Sequence, residues 1–126
     1  MRKTLVMMVK EPRARRVKTR LAGDIGRIPA TWWFRHQTRR MIRKLEDPRW
    51  DLVLAVSPDA EGMNSRIWPA HLPKFPQGTG DLGDRMSRVF REVGQGPLII
   101  VGGDIPGITP RHVARAFALL GRRDAV

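Results

Sequence analysis

Cysteine is absent from the 126 residues, so neither a disulfide framework nor a cysteine-held zinc site can form. Tyrosine is absent too, and the four phenylalanines stand singly, so the aromatic clustering with which RNA-binding sheets stack bases is missing. Long apolar runs are also lacking. Runs such as Leu5–Val9 and Leu98–Val101 fall far below the roughly 20 residues that a membrane-spanning helix needs. Arg2 and Lys3 precede the first run as they would in an export signal, but Lys10 and Glu11 close it after five residues. That argues against export and makes the cytoplasm the expected location.

Acidic charge is scarce. Twelve Asp and Glu face 24 Lys and Arg, a formal net charge of +12. Such an excess can recruit phosphorylated metabolites, nucleic acid or an anionic membrane surface. Nineteen of the 24 cations are arginine, spread from Arg2 to Arg123, as GC-rich coding would also spread them. The remaining composition, 41% apolar and 29% charged, is that of one ordinary globular domain spanning residues 1–126.

Three short runs read as strands: Thr4–Val9, Leu52–Val56 and Leu98–Val101. Each is continuously apolar rather than alternating, which suits strands of a parallel sheet buried on both faces. Helical periodicity lies between them. In Ala30–Leu45, Phe34, Met41, Ile42 and Leu45 share one face and Arg35, Arg39, Arg40, Arg43 and Lys44 the other. In Leu82–Val93, Leu82, Met86, Val89, Phe90 and Val93 form an apolar stripe, with Asp81 placed to cap and Asp84 in the first turn. Thr109 and Pro110 mark the start of a last helix whose inner stripe is Val113, Ala116, Phe117 and Leu120. Residues 61–80, with Pro69, Pro73 and Pro76, read as mostly irregular connection. Asp124-Ala125-Val126 reads as the opening of a further strand, and a sheet edge left bare there would favour pairing with a second copy. The expected fold is α/β, a Rossmann-like three-layer α/β/α arrangement around a mainly parallel sheet.

In such sheets ligands bind beyond the carboxyl ends of the strands. After the first strand, Lys10, Arg13, Arg15, Arg16, Lys18 and Arg20 put six cations into eleven positions, enough to cradle a di- or triphosphate. The loop is not a Walker A motif. After the third strand, Gly102-Gly103-Asp104 brings a carboxylate and open backbone to a strand end, where Asp104 either helps phosphate oxygens to hold Mg²⁺ or Mn²⁺, or caps the turn. Gly78-Thr79-Gly80-Asp81-Leu82-Gly83 has the form G-x-G-x-x-G, yet it follows proline-rich chain rather than a strand and is no dinucleotide fingerprint. His36, His71 and His112 share no ligand spacing and read as surface or helix-flank residues. Trp32 and Trp33 cannot face the same way on a helix, so one of them is expected at the surface.

Three blocks carry a family resemblance: Lys10-x-Pro12 with Val17-Lys18-Thr19-Arg20-Leu21-Ala22, then Gln77-Gly78-x-Gly80-Asp81-Leu82-Gly83-x-Arg85-Met86, then Gly103-Asp104-x-Pro106-Gly107-x-Thr109-Pro110. In order and spacing the chain resembles the bacterial glycosyltransferase-like family known as domain of unknown function 2064, within the GT-A nucleotide-diphospho-sugar transferase superfamily. The resemblance implies a nucleotide or nucleotide sugar as ligand and glycosyl or nucleotidyl transfer as activity. It implies Lys10, Lys18, Thr19, Arg20, Gly80, Asp81, Arg85 and Gly103 as nucleotide- and phosphate-binding residues, with Lys18 and Asp104 catalytic. Asp104 would hold Mg²⁺ or Mn²⁺. The chain departs from the family pattern in carrying Arg15 where a glycine is usual. It also lacks the Gly-rich acidic segment of the acceptor part, so a non-catalytic interaction module, pairing with itself or a partner, is the alternative. A charge-driven nucleic-acid binder is a third reading, against which the missing aromatics count.

Overall fold

The structure is a computed structural model that describes residues 2–11, 27–93, 96–103 and 107–120, without the side chains of residues 27–32. Four parallel strands form its sheet: β1 (Thr4–Lys10), β2 (Asp51–Ser57), β3 (Lys74–Pro76) and β4 (Leu98–Gly102). The helices are α1 (Arg27–Leu45), α2 (Asp59–Asn64), α3 (Leu82–Val93) and α4 (Pro110–Leu120). Strand order is β3-β2-β1-β4, with β1 and β2 in register from Thr4↔Asp51 to Lys10↔Ser57.

The three apolar runs are all strands of this sheet. A fourth strand, β3, corrects the expectation of irregular chain between residues 61 and 80. Three residues, one of them Pro76, are too short to show a period. They become a strand only because β2 offers an open edge at Leu54–Val56. The short helix α2 also lies in this stretch, its Gly62 packed so closely that an added Cβ would sit 2.8 Å from Val56 Cβ. Residues 124–126, read as a strand opening, lie outside the described residues.

The connections β1→β2 and β2→β3 run one way along the sheet and β3→β4 runs back, and with one hand of crossover that reversal puts α3 on the face opposite α1. On one face α1 and α4 cover the sheet. Leu5, Met7 and Val9 of β1 and Leu52, Leu54 and Val56 of β2 pack there against Met41, Ile42, Leu45, Val113 and Phe117. Trp50 and Trp68 are buried in the same core, their indole N–H groups donating to Leu45 O (3.0 Å) and Gly62 O (2.7 Å). On the other face α3 is the packed helix among the described residues, through Val89 against Val6 and Ala55. Thr109 caps α4 together with His112, so the Thr109-Pro110 start is realised. No described helix is long and apolar enough to cross a membrane.

Candidate functional site

The order β3-β2-β1-β4 puts a switch between β1 and β4, because the chain runs from β1 out to β2 and β3 and then returns across the sheet to β4 on the other side of β1. A crevice must open beyond their carboxyl ends. It is present: a cavity of about 490 Å³ is lined by Lys10 at the end of β1, Ser57 at the end of β2, Gln77 just after β3, and Gly102 and Gly103 at the end of β4. Every strand of the sheet therefore contributes its last residues. Thr38 of α1 and Leu82, Arg85 and Met86 of α3 complete the wall. The charged groups among these lining residues are Lys10 and Arg85, both cationic, so the site favours an anion.

Gln77 organises the wall. It is buried at 5% exposure, and its amide nitrogen donates to Ala55 O (2.9 Å) and Val9 O (3.2 Å), reaching across β2 to β1. Its backbone N–H extends the sheet by donating to Val56 O (2.8 Å). Its side-chain oxygen accepts from Arg85 Nη1 (3.2 Å), while Arg85 Nε donates to Gly80 O (3.2 Å). Two bonds from two directions hold the guanidinium at the cavity wall, and three of its five N–H donors remain for a ligand or water. Arg88 closes the loop from behind, donating from Nη1 to Gln77 O (2.6 Å) and Thr79 O (3.3 Å). Asp59 of α2 accepts from the Gly78 N–H (3.0 Å).

The glycine-rich segment is thus a folded loop that opens α3. Asp81 Oδ1 accepts from the Asp84 N–H (2.8 Å) and Asp84 Oδ2 from the Asp81 N–H (3.1 Å), a reciprocal capping box. Gly80 has φ +105, and a Cβ there would also meet the Asp84 carboxylate at 2.6 Å. Gly103 is needed for space instead, since a Cβ would lie 2.7 Å from Val9 Cγ1 and 3.1 Å from Met8 O. Its N–H donates to Met8 O (2.9 Å), which pulls the end of β4 against β1 beside Lys10.

The structure therefore brings together Lys10, Arg85 and Gly103 around one cavity, with Gly80 and Asp81 shaping the loop that carries Arg85. Lys18, Thr19, Arg20 and Asp104 lie outside the described residues. The three histidines are exposed: His71 pairs with Glu46 at 2.8 Å and His112 serves the α4 cap. Sequence reasoning left Gln77, Ser57 and Thr38 without a role. Thr38 did carry a signal, because it is a polar residue on the Met41, Ile42 and Leu45 stripe, and it is buried at 5% exposure. Gln77 was hidden because β3 was.

Comparison with known proteins agrees with this geometry. The model of a family described as an uncharacterized protein conserved in bacteria (DUF2064) matches residues 41–126. A crystal structure of a protein from Desulfovibrio desulfuricans G20, provisionally named a nucleotide-diphospho-sugar transferase, is similar with a TM-score of 0.79 at 29% sequence identity. The similarity covers 96% of this chain and 55% of that one, so the chain spans about half the length of that relative. No curated protein matches in sequence. The parallel α/β/α fold is that of nucleotide-diphospho-sugar transferase-like proteins, as the resemblance implied.

Proposed function

The chain belongs to the DUF2064 family, and from that premise we propose that it is the donor-binding part of a transferase using a nucleotide or nucleotide sugar. The observation that carries this reading is the cationic cavity at the β1/β4 switch, with Arg85 fixed in its wall by Gln77. Phosphate oxygens would accept from Lys10 and from the remaining donors of Arg85, while the apolar wall of Leu82, Met86, Ile100 and Val101 receives a base or sugar. Gly103 keeps the end of β4 tight against β1 at the cavity rim. Lys18, Thr19 and Arg20 would add to the phosphate site from the loop after β1, neutralising charge that develops on the leaving phosphate.

The described residues hold no group of three or more His, Asp or Glu able to bind a metal ion. A divalent cation fits this donor set only with oxygens of the nucleotide completing its shell beside Asp104. Mg²⁺ or Mn²⁺ held in that way would supply charge neutralisation at the phosphates. The chain's own part is to orient the donor, through Arg85 and Lys10, and to keep one side of it dry.

Thermal unfolding with Mg²⁺ and a panel of nucleoside triphosphates and nucleotide sugars tests the reading. A donor at a hundredfold excess over its dissociation constant should stabilise the fold by about 2.7 kcal/mol. Arg85→Ala and Lys18→Ala should remove most of that increment while leaving the ligand-free transition almost in place. If no nucleotide shifts the transition of the unsubstituted protein, the cavity is not a donor site.

A further inference from the structure

Several cations outside α1 are engaged within the fold, whereas α1 presents a group of exposed ones. Arg85 and Arg88 of α3 are engaged with the Gln77–Gly80 loop. Arg2 pairs with Asp51 at 3.0 Å and Arg49 with Asp47 at 2.8 Å. Helix α1 has no acidic residue in its 19 positions. Among the described residues Arg39, Arg40, Arg43 and Lys44 enter no ion pair. A coding bias toward arginine would not by itself separate cations from carboxylates over a whole helix.

The geometry of this face is simple. Thr38, Met41, Ile42 and Leu45 are buried against the sheet. At about 100° per residue, Arg39, Arg43, His36, Arg40, Trp33 and Lys44 succeed one another around an arc of roughly 140° on the opposite side. All six are exposed. Trp33, 45% exposed, stands within the arc and is held edge-on against Phe34, ring centroids 4.8 Å apart at 81°.

We infer that this face docks flat on an anionic lipid bilayer. A cluster of four basic residues on one helix face gains from the negative surface potential of acidic lipids, within a Debye length of the surface. An indole on the same face, some two turns before them, suits the headgroup region, where an apolar ring and a polar N–H are both accommodated. The apolar side of α1 is consumed by the core, so the helix lies on the surface and only Trp33 enters it. Nucleic acid fits less well: the cations spread over the convex surface of one helix rather than along the groove that tracks a nucleic-acid backbone. Because Thr38 of the same helix lines the cavity, a docked chain holds the site about one helix diameter, ~10 Å, from the lipid.

Co-sedimentation with phosphatidylcholine vesicles, with and without phosphatidylserine, tests this. The whole chain should sediment only with phosphatidylserine present and be released by high salt. Arg39→Gln with Arg43→Gln should weaken partitioning about fivefold per cation, roughly thirtyfold together. Arg111→Gln with Arg115→Gln removes the same charge from exposed positions of α4 and should change it no more than about twofold. Trp33→Ser should weaken binding without altering its salt dependence. Circular dichroism melts of each variant check that the fold persists. Equal losses from the α1 and α4 pairs would overturn the assignment, since net charge alone would then be acting. Absence of binding to phosphatidylserine vesicles would also overturn it, as would tighter binding to poly(U) that the α1 pair abolishes.

Discussion

The two faces of the sheet are built from the same strands yet differ in depth. The face under α1 and α4 buries both inward rows of β1 and β2, two tryptophans and Phe117 in one continuous core. The face under α3 has only Val6, Ala55 and Val89 fully buried, while Leu82 is 64% and Phe90 54% exposed. The apolar stripe of α3 is wide enough for a deep interface, but one helix cannot cover a four-stranded sheet, and β4 stays half exposed along its length. Stability is concentrated on one face. The other carries the loop that holds Arg85.

Substitutions can break this contrast. Leu54→Ala, on the deep face, should cost about 3 kcal/mol in chemical denaturation through lost burial and an unfilled cavity. Phe90→Gln, although it removes a larger apolar group, should stay within about 0.5 kcal/mol of the unsubstituted protein. A Phe90→Gln cost near that of Leu54→Ala would mean that the α3 face is covered in solution. Gln77→Leu should come next, at about 2 kcal/mol, because Val9 O and Ala55 O lose their buried donor. It should also weaken nucleotide binding, but not further in an Arg85→Ala background, since the two act as one unit. Additive losses in that double-mutant cycle would show that Gln77 does not work through Arg85.

Two smaller effects sharpen the picture. Asp81→Ala removes one side of the capping box and should lower stability by about 1 kcal/mol with α3 helicity reduced in circular dichroism. The smallest effect concerns the turn between α1 and β2. The hydrogen bonds from Arg49 to the Asp47 carboxylate lower its pKa from 3.8 to about 2. The depressed value means that the contribution is present above pH ~4 and is lost as pH falls through about 2. Asp47→Asn should therefore lower Tm slightly at neutral pH, with the difference shrinking from pH ~4 and vanishing only below pH ~2. A difference that persisted there would assign the effect to the Asp47 turn geometry rather than to its charge.

Much of this architecture was legible beforehand. The continuous apolar runs of β1, β2 and β4 need two covered faces, which only a parallel α/β sheet supplies. The bounds of α3 and the Thr109-Pro110 start of α4 follow from capping chemistry, which acts over three residues and so leaves its mark locally. The glycines of the 78–83 block and of Gly103 pointed to ligand approach, whereas what the fold shows at Gly103 is close packing against β1. Helix α1 begins at Arg27, three residues before the Ala30 at which its sequence pattern begins.

What the residues alone determined is the class of fold, the cationic character of its ligand edge and the loops that reach it, because these depend on local pattern, charge and family motif. What only the tertiary structure decided is which groups meet there. Gln77 lies 68 residues from the Val9 carbonyl it satisfies, and β3 exists only because β2 offers it partners. The order of strands placed β1 beside β4, and the single helix on one face left half of the apolar stripe of α3 in the open. Each of these rests on contacts between distant segments, whose free energy exists only once the chain has closed the loops between them.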